Sequence, residues 1–322
     1  MKTKRKLMRI TNAKILLILI VFVLIYFIHF SQISLKSNLD SDISLNIYDL
    51  SKYNYLNPNV QCLKTKTVLQ INIILCLHDP SKDYTSSHIL KYGIKEEKIL
   101  SSFLKALNEC EDCLAIDIGT HVGLFTLFAA KLGKQVISVE PFHDNIIRLQ
   151  KAAELENLRD NITLLQYAVS NKKDEIKYLY PHRNIGQQSL LSNNKKKKDL
   201  YLKKFSKYHV RTITLNDLVI LINSQLKLRN YQKAILKIDI ESYEPYAFEK
   251  TDELFDRLDI RMVFMEWAQL RTKKTLQKEI TDMIYFFTKR NYEVFDAVTE
   301  NKLDINNWKD GWGIDVVWKK MN

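Results

Sequence analysis

The segment LAIDIGTHVGLF at residues 114–125 constrains the fold more than any other part of the sequence. An apolar run leads to Asp117, and Gly119 and Gly123 follow it, although the 322-residue chain contains only 7 glycines. The run predicts a short buried strand, and FTLFAAKL at residues 125–132 predicts the helix after it. The glycines therefore lie in a strand-to-helix turn. There a missing side chain lets a ligand approach the backbone, and the helix presents free N–H groups.

A second strand is predicted at residues 135–139, and Glu140 follows it directly. In nucleotide-binding α/β units, an acid about 20 residues after the glycine turn, at the end of the second strand, binds the ribose hydroxyls. Pro141 ends the strand, and residues 145–156 predict the next helix. This order predicts a right-handed parallel sheet. Because the glycines do not form G-x-G-x-x-G, the turn favours a nucleoside without a pyrophosphate over a nicotinamide dinucleotide.

Strands and helices continue to alternate along the chain, which predicts an α/β fold with a doubly wound, seven-stranded sheet. Further strands are predicted at residues 68–77, 161–170, 175–180, 234–240, 261–267, 292–298 and 314–318. Further helices are predicted at residues 94–107, 215–226, 246–258 and 276–290. The polar, lysine-rich residues 184–207 predict a long loop or lid.

Several of these segments resemble motifs of the class I S-adenosylmethionine-dependent methyltransferases. AIDIGTHVGLFTLFAA with VISVEP is similar to the first two motifs of that class, and NITLLQYAVS is similar to a later one. ILKIDIESYE at residues 235–244 is close to the K-I-D-x-E-G-x-E signature of the FkbM family, and VRTITLNDL resembles its V-x-T-L-D-x-L segment. Residues 76–93 resemble the segment before the first motif in the animal, membrane-anchored branch. The resemblance runs from about residue 70 to the end and implies a Rossmann-like methyltransferase fold.

The resemblance implies S-adenosyl-L-methionine as the cofactor. The residues that match the cofactor motifs are Asp117, Gly119, Thr120, His121, Gly123, Glu140, Ala168 and Val169. The resemblance implies that the first acid and the glycine backbone hold the methionine part, that Glu140 holds the ribose, and that the last two residues flank the adenine. The family has Ala-Asn where this chain has Thr120 and His121. We interpret His121 as a packing or hydrogen-bonding replacement for the Asn rather than as a base.

Three acids follow the strand that ends near residue 240, where open α/β sheets bind their ligands. Methyl transfer from an activated sulfonium mainly requires alignment of the acceptor, and a hydroxyl acceptor must also lose its proton. We interpret Asp239 as the catalytic base, Glu241 as its supporting acid and Glu244 as a helix-start carboxylate. Asp239 and Glu241 are also suitable ligands for a divalent cation, and the sequence leaves this alternative open.

Two departures from the family pattern keep a second function open. Ser242 stands where the family has Gly, and Asn216 stands where it has Asp. The first departure places a Cβ beside the expected reaction centre, and the second removes a carboxylate. The alternative to an enzyme is an inactive methyltransferase fold that acts as a lumenal trafficking or binding partner.

The N-terminal residues predict a membrane anchor. Residues 15–30, ILLILIVFVLIYFIHF, are almost entirely apolar, and as a helix they span roughly 24 Å of a hydrocarbon core about 30 Å thick. Basic residues before them predict a cytoplasmic tail at residues 1–14, so the rest of the chain is expected in the lumen of the endoplasmic reticulum or Golgi. A stem at residues 31–60 and a catalytic domain at residues 61–322 would follow. A cleaved signal peptide is the alternative, but no small-x-small site follows the apolar run.

The formal net charge of +12 does not indicate nucleic-acid binding. Six basic residues of the first fourteen contribute half of this charge, and no zinc-finger or basic-helix pattern is present. Another lysine group comprises Lys195, Lys196, Lys197, Lys198, Lys203, Lys204 and Lys207. If that group lies beside the acceptor site, it favours an acidic acceptor. We therefore expect O-methylation of a hydroxyl acceptor, with a glycan as the leading candidate.

Four cysteines suit an oxidising compartment, and they predict structural disulfides or buried thiols with the pairing left open. Cys110 and Cys113 have the spacing of a redox pair, but they precede a methyltransferase-like strand rather than open a thioredoxin helix. Cys62 and Cys76 are poorly spaced for zinc. One glycosylation sequon begins at Asn161, at the expected start of the third strand.

Overall fold

The computed structural model describes residues 45–50, 60–191 and 207–321. The predicted tail, the apolar segment at residues 15–30, most of the stem and six lysines of the lysine group lie outside the described residues. Within the part of the chain that is described, no helix is both long and apolar enough to cross a membrane.

The described residues form short strands and helices that alternate along the chain. The strands are β1 (Cys62–Lys64), β2 (Ile74–Cys76), β3 (Cys113–Ile118), β4 (Val136–Val139), β5 (Ile162–Leu165), β6 (Ala168–Val169), β7 (Ile176–Tyr178), β8 (His209–Ile213), β9 (Lys233–Ile238), β10 (Asp259–Glu266), β11 (Tyr292–Asp296) and β12 (Asp315–Lys320). The helices are α1 (Tyr84–Tyr92), α2 (Glu97–Glu109), α3 (Leu124–Lys131), α4 (His143–Leu155), α5 (Asp217–Ser224), α6 (Glu244–Ala247), α7 (Asp252–Arg257) and α8 (Gln277–Lys289).

The main sheet has seven strands in the order β11-β12-β10-β9-β3-β4-β5, which confirms the predicted methyltransferase-like sheet. The five strands from β10 to β5 are parallel, and β12 pairs antiparallel with both β10 and β11. From β3 the chain builds towards β5 and later returns to add β9 on the other side. The strand order therefore reverses between β3 and β9, and such a reversal opens a crevice at the carboxyl ends of the strands.

Helices cover the faces of the sheet because its parallel strands are apolar on both sides. Phe103 of α2, Phe128 of α3 and Leu149 of α4 belong to one buried cluster with strand residues of β3, β4 and β5. At the other end of the sheet, Phe287 of α8 stacks on Trp318 of β12, with ring centroids 4.5 Å apart. This burial fixes the sheet and thereby the loops at its carboxyl edge.

Three predicted elements differ from the structure. The strand predicted at residues 161–170 is divided into β5 of the main sheet and β6, which pairs with β8 in a separate three-stranded sheet. Residues 68–77 do not form one strand, because the chain turns at Leu69 and Gln70, whose φ angles are 45° and 64°. Only β2 remains extended, and it pairs with β1 as a hairpin. The helix predicted at residues 246–258 is broken into α6, a 3-10 turn at Phe248–Lys250, and α7. The break occurs at the buried Thr251, whose φ of −142° is not helical.

The four cysteines form two disulfides, Cys62–Cys76 and Cys110–Cys113. The first joins the two strands of the β1–β2 hairpin, and the second closes the turn between α2 and β3. The structure thus supplies the pairing that the sequence left open.

Residues 46–50 fall within the segment predicted as a stem, yet they lie along the outer edge of β5. Ile47 forms an antiparallel bridge with Leu165, and the Tyr48 amide donates to the Leu164 carbonyl at 2.8 Å. Leu50 is buried. These contacts pair groups at the free edge of the sheet, and the compact unit of the chain accordingly begins at Asn46.

Candidate active site

A cleft opens at the carboxyl ends of β3, β4 and β9, where the strand order reverses. It encloses about 580 Å³, open mouth included, and seven of the predicted residues line it: Gly119, His121, Glu140, Ala168, Val169, Asp239 and Glu241. Asp117 and Thr120 line an adjoining depression that shares Gly119, His121, Asp239 and Glu241 with the cleft. Gly123 is absent from both linings among the described residues.

The two glycines of the turn serve the packing of the protein itself. Gly119 has a φ of 81°, and a Cβ there would collide with the carbonyl oxygen of Asp239, which directly follows the neighbouring strand β9. Gly123 has a φ of 90°, and a Cβ there would collide with the side chain of Leu149. The sequence predicted close approach of a ligand to this turn. In the structure, the atoms nearest to the positions of the missing Cβ atoms belong to Asp239, directly after β9, and to Leu149 of α4.

Asp117 has one carboxylate oxygen without a partner. Its Oδ2 accepts a hydrogen bond from Thr126 Oγ1 at 2.6 Å, whereas its Oδ1 is buried and unbonded among the described residues. Burial raises the pKa of this carboxyl, and nearby Lys237 opposes that rise. A buried polar atom without a partner is costly, so this oxygen fits a donor supplied by a ligand, such as the amino group of an amino-acid moiety.

Glu140 already holds the glycine turn and the start of α4. Its Oε2 accepts from the His121 amide at 2.9 Å, and its Oε1 accepts from the Phe142 amide at 2.8 Å and Asn145 Nδ2 at 3.0 Å. Burial raises the pKa of this carboxyl, while these donors oppose the rise. A carboxylate has about four acceptor positions, so capacity for a ribose hydroxyl remains beside three structural bonds.

His121 connects the turn to a segment that the sequence did not associate with it. Its Nε2 lies 3.4 Å from Oδ1 of Asp83, a carboxylate whose side chain is fully buried. Asp83 also accepts from the amides of Ser86 at 2.7 Å and Gly186 at 3.1 Å. Burial would raise the pKa of Asp83, but the contact with His121 and the bonds from Ser86 lower it overall. His121 thus ties the N-terminus of α1 and the 3-10 turn Ile185–Gln187 to the predicted cofactor turn.

Asp239 and Glu241 meet a third carboxylate, Glu266, which ends β10. One oxygen of each lies within 4.8 Å of the others. Burial and the charge of Asp239 raise the pKa of Glu241 to about 8 and that of Glu266 to about 9. Three carboxylates this close do not all ionise without a compensating cation. At neutral pH, therefore, Glu241 and Glu266 hold protons.

Lys237 explains why Asp239 alone stays ionised. Its ammonium is buried, 3.3 Å from Oδ2 of Asp239 and 4.6 Å from the centroid of the Phe125 ring. Burial acts to raise the pKa of Asp239, but Lys237 and Lys95 outweigh it and lower that pKa. Burial would lower the pKa of Lys237, yet Asp239 and Glu96 raise it instead. The site thus combines one stable carboxylate with two protonated neighbours.

Sequence reasoning missed Lys237, Glu266 and Gln269. Lys237 lies two residues before Asp239 in a strand, so the period of two placed both side chains on one face. Glu266 ends the strand after β9, and the rule for carboxyl ends would have included it. Gln269 donates to Glu241 from the loop after β10, and no sequence pattern indicated that contact.

The two departures from the family pattern have different structural consequences. Ser242 has a φ of 71° and follows Glu241 at 57°, so two residues with side chains adopt the left-handed region in succession. Ser242 is buried, and its Oγ donates to Gln269 Oε1 at 3.3 Å. Asn216 lies outside the cleft, where its Oδ1 accepts from the Leu254 amide at 3.3 Å at the start of α7. The Asn216 departure therefore concerns helix packing, and the Ser242 departure concerns the cleft.

Residues 117–294 match the Methyltransferase FkbM domain, and they make up more than half of the chain. The chain belongs to the FkbM methyltransferase family. No curated protein sequence matches it significantly.

Solved structures with a similar fold are distant. A putative caffeoyl-CoA O-methyltransferase from Staphylococcus aureus is 10% identical, with 73% of this chain and 88% of that chain covered and a TM-score of 0.40. Precorrin-6y C5,15-methyltransferase from Geobacter metallireducens GS-15 is 12% identical, with 70% and 90% covered and a TM-score of 0.37. A Pyrococcus abyssi tRNA (uracil-54, C5)-methyltransferase in complex with S-adenosyl-L-homocysteine is 9% identical, with 81% and 44% covered and a TM-score of 0.37. Such scores bear on neither substrate nor mechanism.

We expect Ser242→Gly to unfold at a temperature equal to or above that of the wild type. Glycine removes a left-handed strain of roughly 1 kcal/mol, which offsets the lost hydrogen bond to Gln269. Ser242→Ala keeps the strain and loses the bond, so it should unfold at a lower temperature. Thermal unfolding of the three proteins measures this, and a Gly variant less stable than the Ala variant would contradict it.

We expect the carboxylate group to make the fold less stable as pH rises. The pKa values of Glu241 and Glu266 are higher in the folded chain than in the unfolded one, so their contribution is complete near pH 4 and is lost up to about pH 9. Glu266→Gln removes one titrating group. It should therefore melt roughly 2 °C or more above wild type at pH 8 and close to wild type at pH 5. Equal differences at both pH values would show that Glu266 does not titrate in this range.

Proposed function

We propose that the chain is an S-adenosyl-L-methionine-dependent methyltransferase that O-methylates a hydroxyl acceptor, with a glycan as the leading candidate. The observation that carries the proposal is that the depression adjoining the cleft is lined by both kinds of group the reaction needs. A buried carboxylate oxygen of Asp117 has no donor among the described residues, and an ionised Asp239 lies close by, directly after the adjacent strand β9.

The cofactor residues divide by chemistry. Asp117 suits the amino group of the methionine part, and Glu140 has acceptor capacity for a ribose hydroxyl. Tyr167, Ala168 and Val169 form an apolar wall of the cleft, which suits the face of an adenine. When bound, the cofactor supplies a methyl group on a sulfonium, and the chain contributes its alignment with the acceptor.

Proton removal from the acceptor falls to Asp239 in this proposal. A base must be unprotonated when the acceptor binds, and Lys237 keeps Asp239 ionised at neutral pH. Glu241, with a pKa raised to about 8, holds a proton under the same conditions and is better suited to hydrogen bonding. This division agrees with the sequence interpretation of Asp239 as base and Glu241 as its supporting acid.

The three clustered carboxylates are also suitable ligands for a divalent cation. The oxygens of Asp239, Glu241 and Glu266 fit a hard cation, which would take the place of the protons on the two glutamates. Mn²⁺ bound there would raise the melting temperature of wild type at pH 8 and leave Glu266→Gln nearly unchanged. Equal effects of Mn²⁺ on both proteins would remove the cation from the proposal.

We further propose that the domain lies in the lumen of the secretory pathway behind an N-terminal signal anchor. The apolar residues 15–30 and the basic residues before them support this arrangement. The two disulfides add support, since disulfides persist mainly in oxidising compartments.

A C-terminal tag on the chain should resist protease added to sealed microsomes, because the lumenal side is protected. An N-terminal tag on the same chain is the control and should be digested. Digestion of the C-terminal tag without detergent would contradict the lumenal assignment.

We expect binding and chemistry to separate by residue. Glu140→Ala should weaken S-adenosylmethionine binding about ten- to a hundredfold through the lost hydrogen bonds, with some loss of thermal stability because three donors lose their acceptor. Asp239→Asn should leave the affinity within a few-fold and lower turnover about a hundredfold or more. Titration calorimetry and release of S-adenosylhomocysteine with an oligosaccharide panel measure the two quantities. Glu111→Gln, an exposed carboxylate outside the cleft, is the control.

Two results would count against the enzyme. If the folded wild type binds no cofactor, the inactive scaffold is the better explanation, and Ser242 is the first residue to examine. If Asp239→Asn turns over at the wild-type rate, the base lies elsewhere, and Glu241 and His121 become the candidates.

A further inference from the structure

A second groove, rich in cationic side chains, lies beside the cofactor cleft. It encloses about 830 Å³, open mouth included. Its charged and imidazole side chains are Lys82, Arg148, Arg183, Lys207, Asp79, Asp144, His78 and His182. Four permanent cations thus face two carboxylates, so the groove has a positive field that attracts anions.

The carboxylates neutralise only part of this charge. Lys207 Nζ lies 2.7 Å from Asp144, and Lys82 Nζ lies 3.7 Å from Asp79 in a pair that is more than half exposed. No carboxylate of the described ranges pairs with Arg183 within 4.0 Å, and this residue is exposed. Exposed ion pairs are weak, so the lysines exchange such partners readily for a ligand anion.

Arg148 is held in place by backbone groups rather than by a carboxylate side chain. Its Nε donates to the Leu77 carbonyl at 3.0 Å, and its Nη1 donates to the Asp144 carbonyl at 2.6 Å. His78 adds no charge at neutral pH, because burial and the nearby Arg148 lower its pKa to about 4. The groove therefore has one guanidinium held by backbone carbonyls, with two lysines in ion pairs and Arg183 around it.

An aromatic pair lies against Lys207, one of these cations. The rings of Phe142 and Tyr208 stack with centroids 5.5 Å apart and an interplanar angle of 7°. Lys207 Nζ lies 5.2 Å from the Phe142 centroid and 5.5 Å from that of Tyr208. Tyr208 remains partly exposed. An apolar ring face with a polar tip, next to cations, suits a ring-shaped ligand with anionic substituents better than a bare ion.

The groove is continuous with the cleft. Ile185 and Gln188 line both, and His182 and Arg183 precede them on the same segment. Further along that segment, Ser189 Oγ donates to the Glu241 carbonyl at 2.8 Å. One stretch of chain therefore runs from the cationic groove to the carboxylates of the reaction centre, and a ligand of several rings lying along it would contact both.

We propose that this groove binds the anionic part of the acceptor, an acidic glycan with sulfate or carboxylate groups, while the hydroxyl to be methylated lies at Asp239. Only the placement of the hydroxyl at Asp239 rests on the proposed methyltransferase function. Binding of the acidic glycan in the groove does not depend on it. Binding of an acidic glycan in the groove is measured without turnover.

The test uses the whole chain in detergent and titration calorimetry at low salt. The probes are a heparin tetrasaccharide, a hyaluronan tetrasaccharide, neutral maltotetraose and an oligothymidylate of similar charge. Lys82→Gln/Arg183→Gln removes two groove cations. Lys98→Gln/Lys105→Gln removes two exposed lysines of α2 outside the groove and is the matched control.

We expect the groove variant to bind at least one acidic tetrasaccharide about tenfold or more weakly than wild type, and the control to stay within twofold. Maltotetraose should not bind. If only the heparin tetrasaccharide binds tightly, the groove recognises sulfate groups. If the heparin and hyaluronan tetrasaccharides both bind, it recognises sulfate and carboxylate groups alike. Equal affinity of wild type and groove variant, or an equal loss in the control, would overturn the proposal. An equal loss for oligothymidylate would also overturn it, because the groove would then recognise charge alone.

Cofactor affinity separates the two proposals. The groove variant should bind S-adenosylmethionine within twofold of wild type, since these cations are outside the predicted cofactor residues. A wild type that binds acidic glycan but no cofactor would refute the methyltransferase and keep the groove. A wild type that binds cofactor but no acidic glycan would refute the groove proposal and keep the methyltransferase.

Discussion

The site depends on the close contact between β3 and β9 at the point where the strand order reverses. The Asp239 amide donates to the Ile118 carbonyl at 3.0 Å, and the Asp239 carbonyl occupies the space that a side chain at residue 119 would fill. Glycine is therefore required for the two strand ends to meet. Because they meet, the carboxylate before the predicted cofactor turn and the proposed base belong to one site, although Asp117 and Asp239 are 122 positions apart in the sequence.

Lys237 determines how charge is distributed over that site. Its buried ammonium stabilises one carboxylate, and the remaining acids then titrate against an existing negative charge. The cluster holds protons on Glu241 and Glu266 and keeps Asp239 ionised, so protonated and ionised carboxyl groups lie side by side although their side chains have the same chemistry. A cluster of this kind opposes folding at high pH, and the surrounding core must offset that cost.

Local sequence patterns predicted the sheet, and most of the residues that they indicated as cofactor contacts line the cleft or the adjoining depression. Asp117, the glycines and Glu140 are adjacent to their strands in sequence, and the period of each strand and helix fixes where they lie. The sequence could not indicate that Asp83 approaches His121 or that Gln269 contacts Glu241, because these pairs depend on how distant loops fold back. The sequence also could not predict the left-handed backbone at Ser242, since a serine does not indicate a positive φ.

The segment that lines both cavities gives the predicted cofactor turn and the acceptor region a common support. Asp83 accepts from the Gly186 amide and contacts His121, so the segment at residues 182–190 is attached to the glycine turn. Ser189 attaches the same segment to the backbone of Glu241, where two successive residues with positive φ hold the carboxylate towards Asp239. A ligand that orders this segment would therefore act on both sides of the cleft. This arrangement would give the proposed acceptor binding in the groove and the proposed cofactor binding in the cleft a physical route to influence each other.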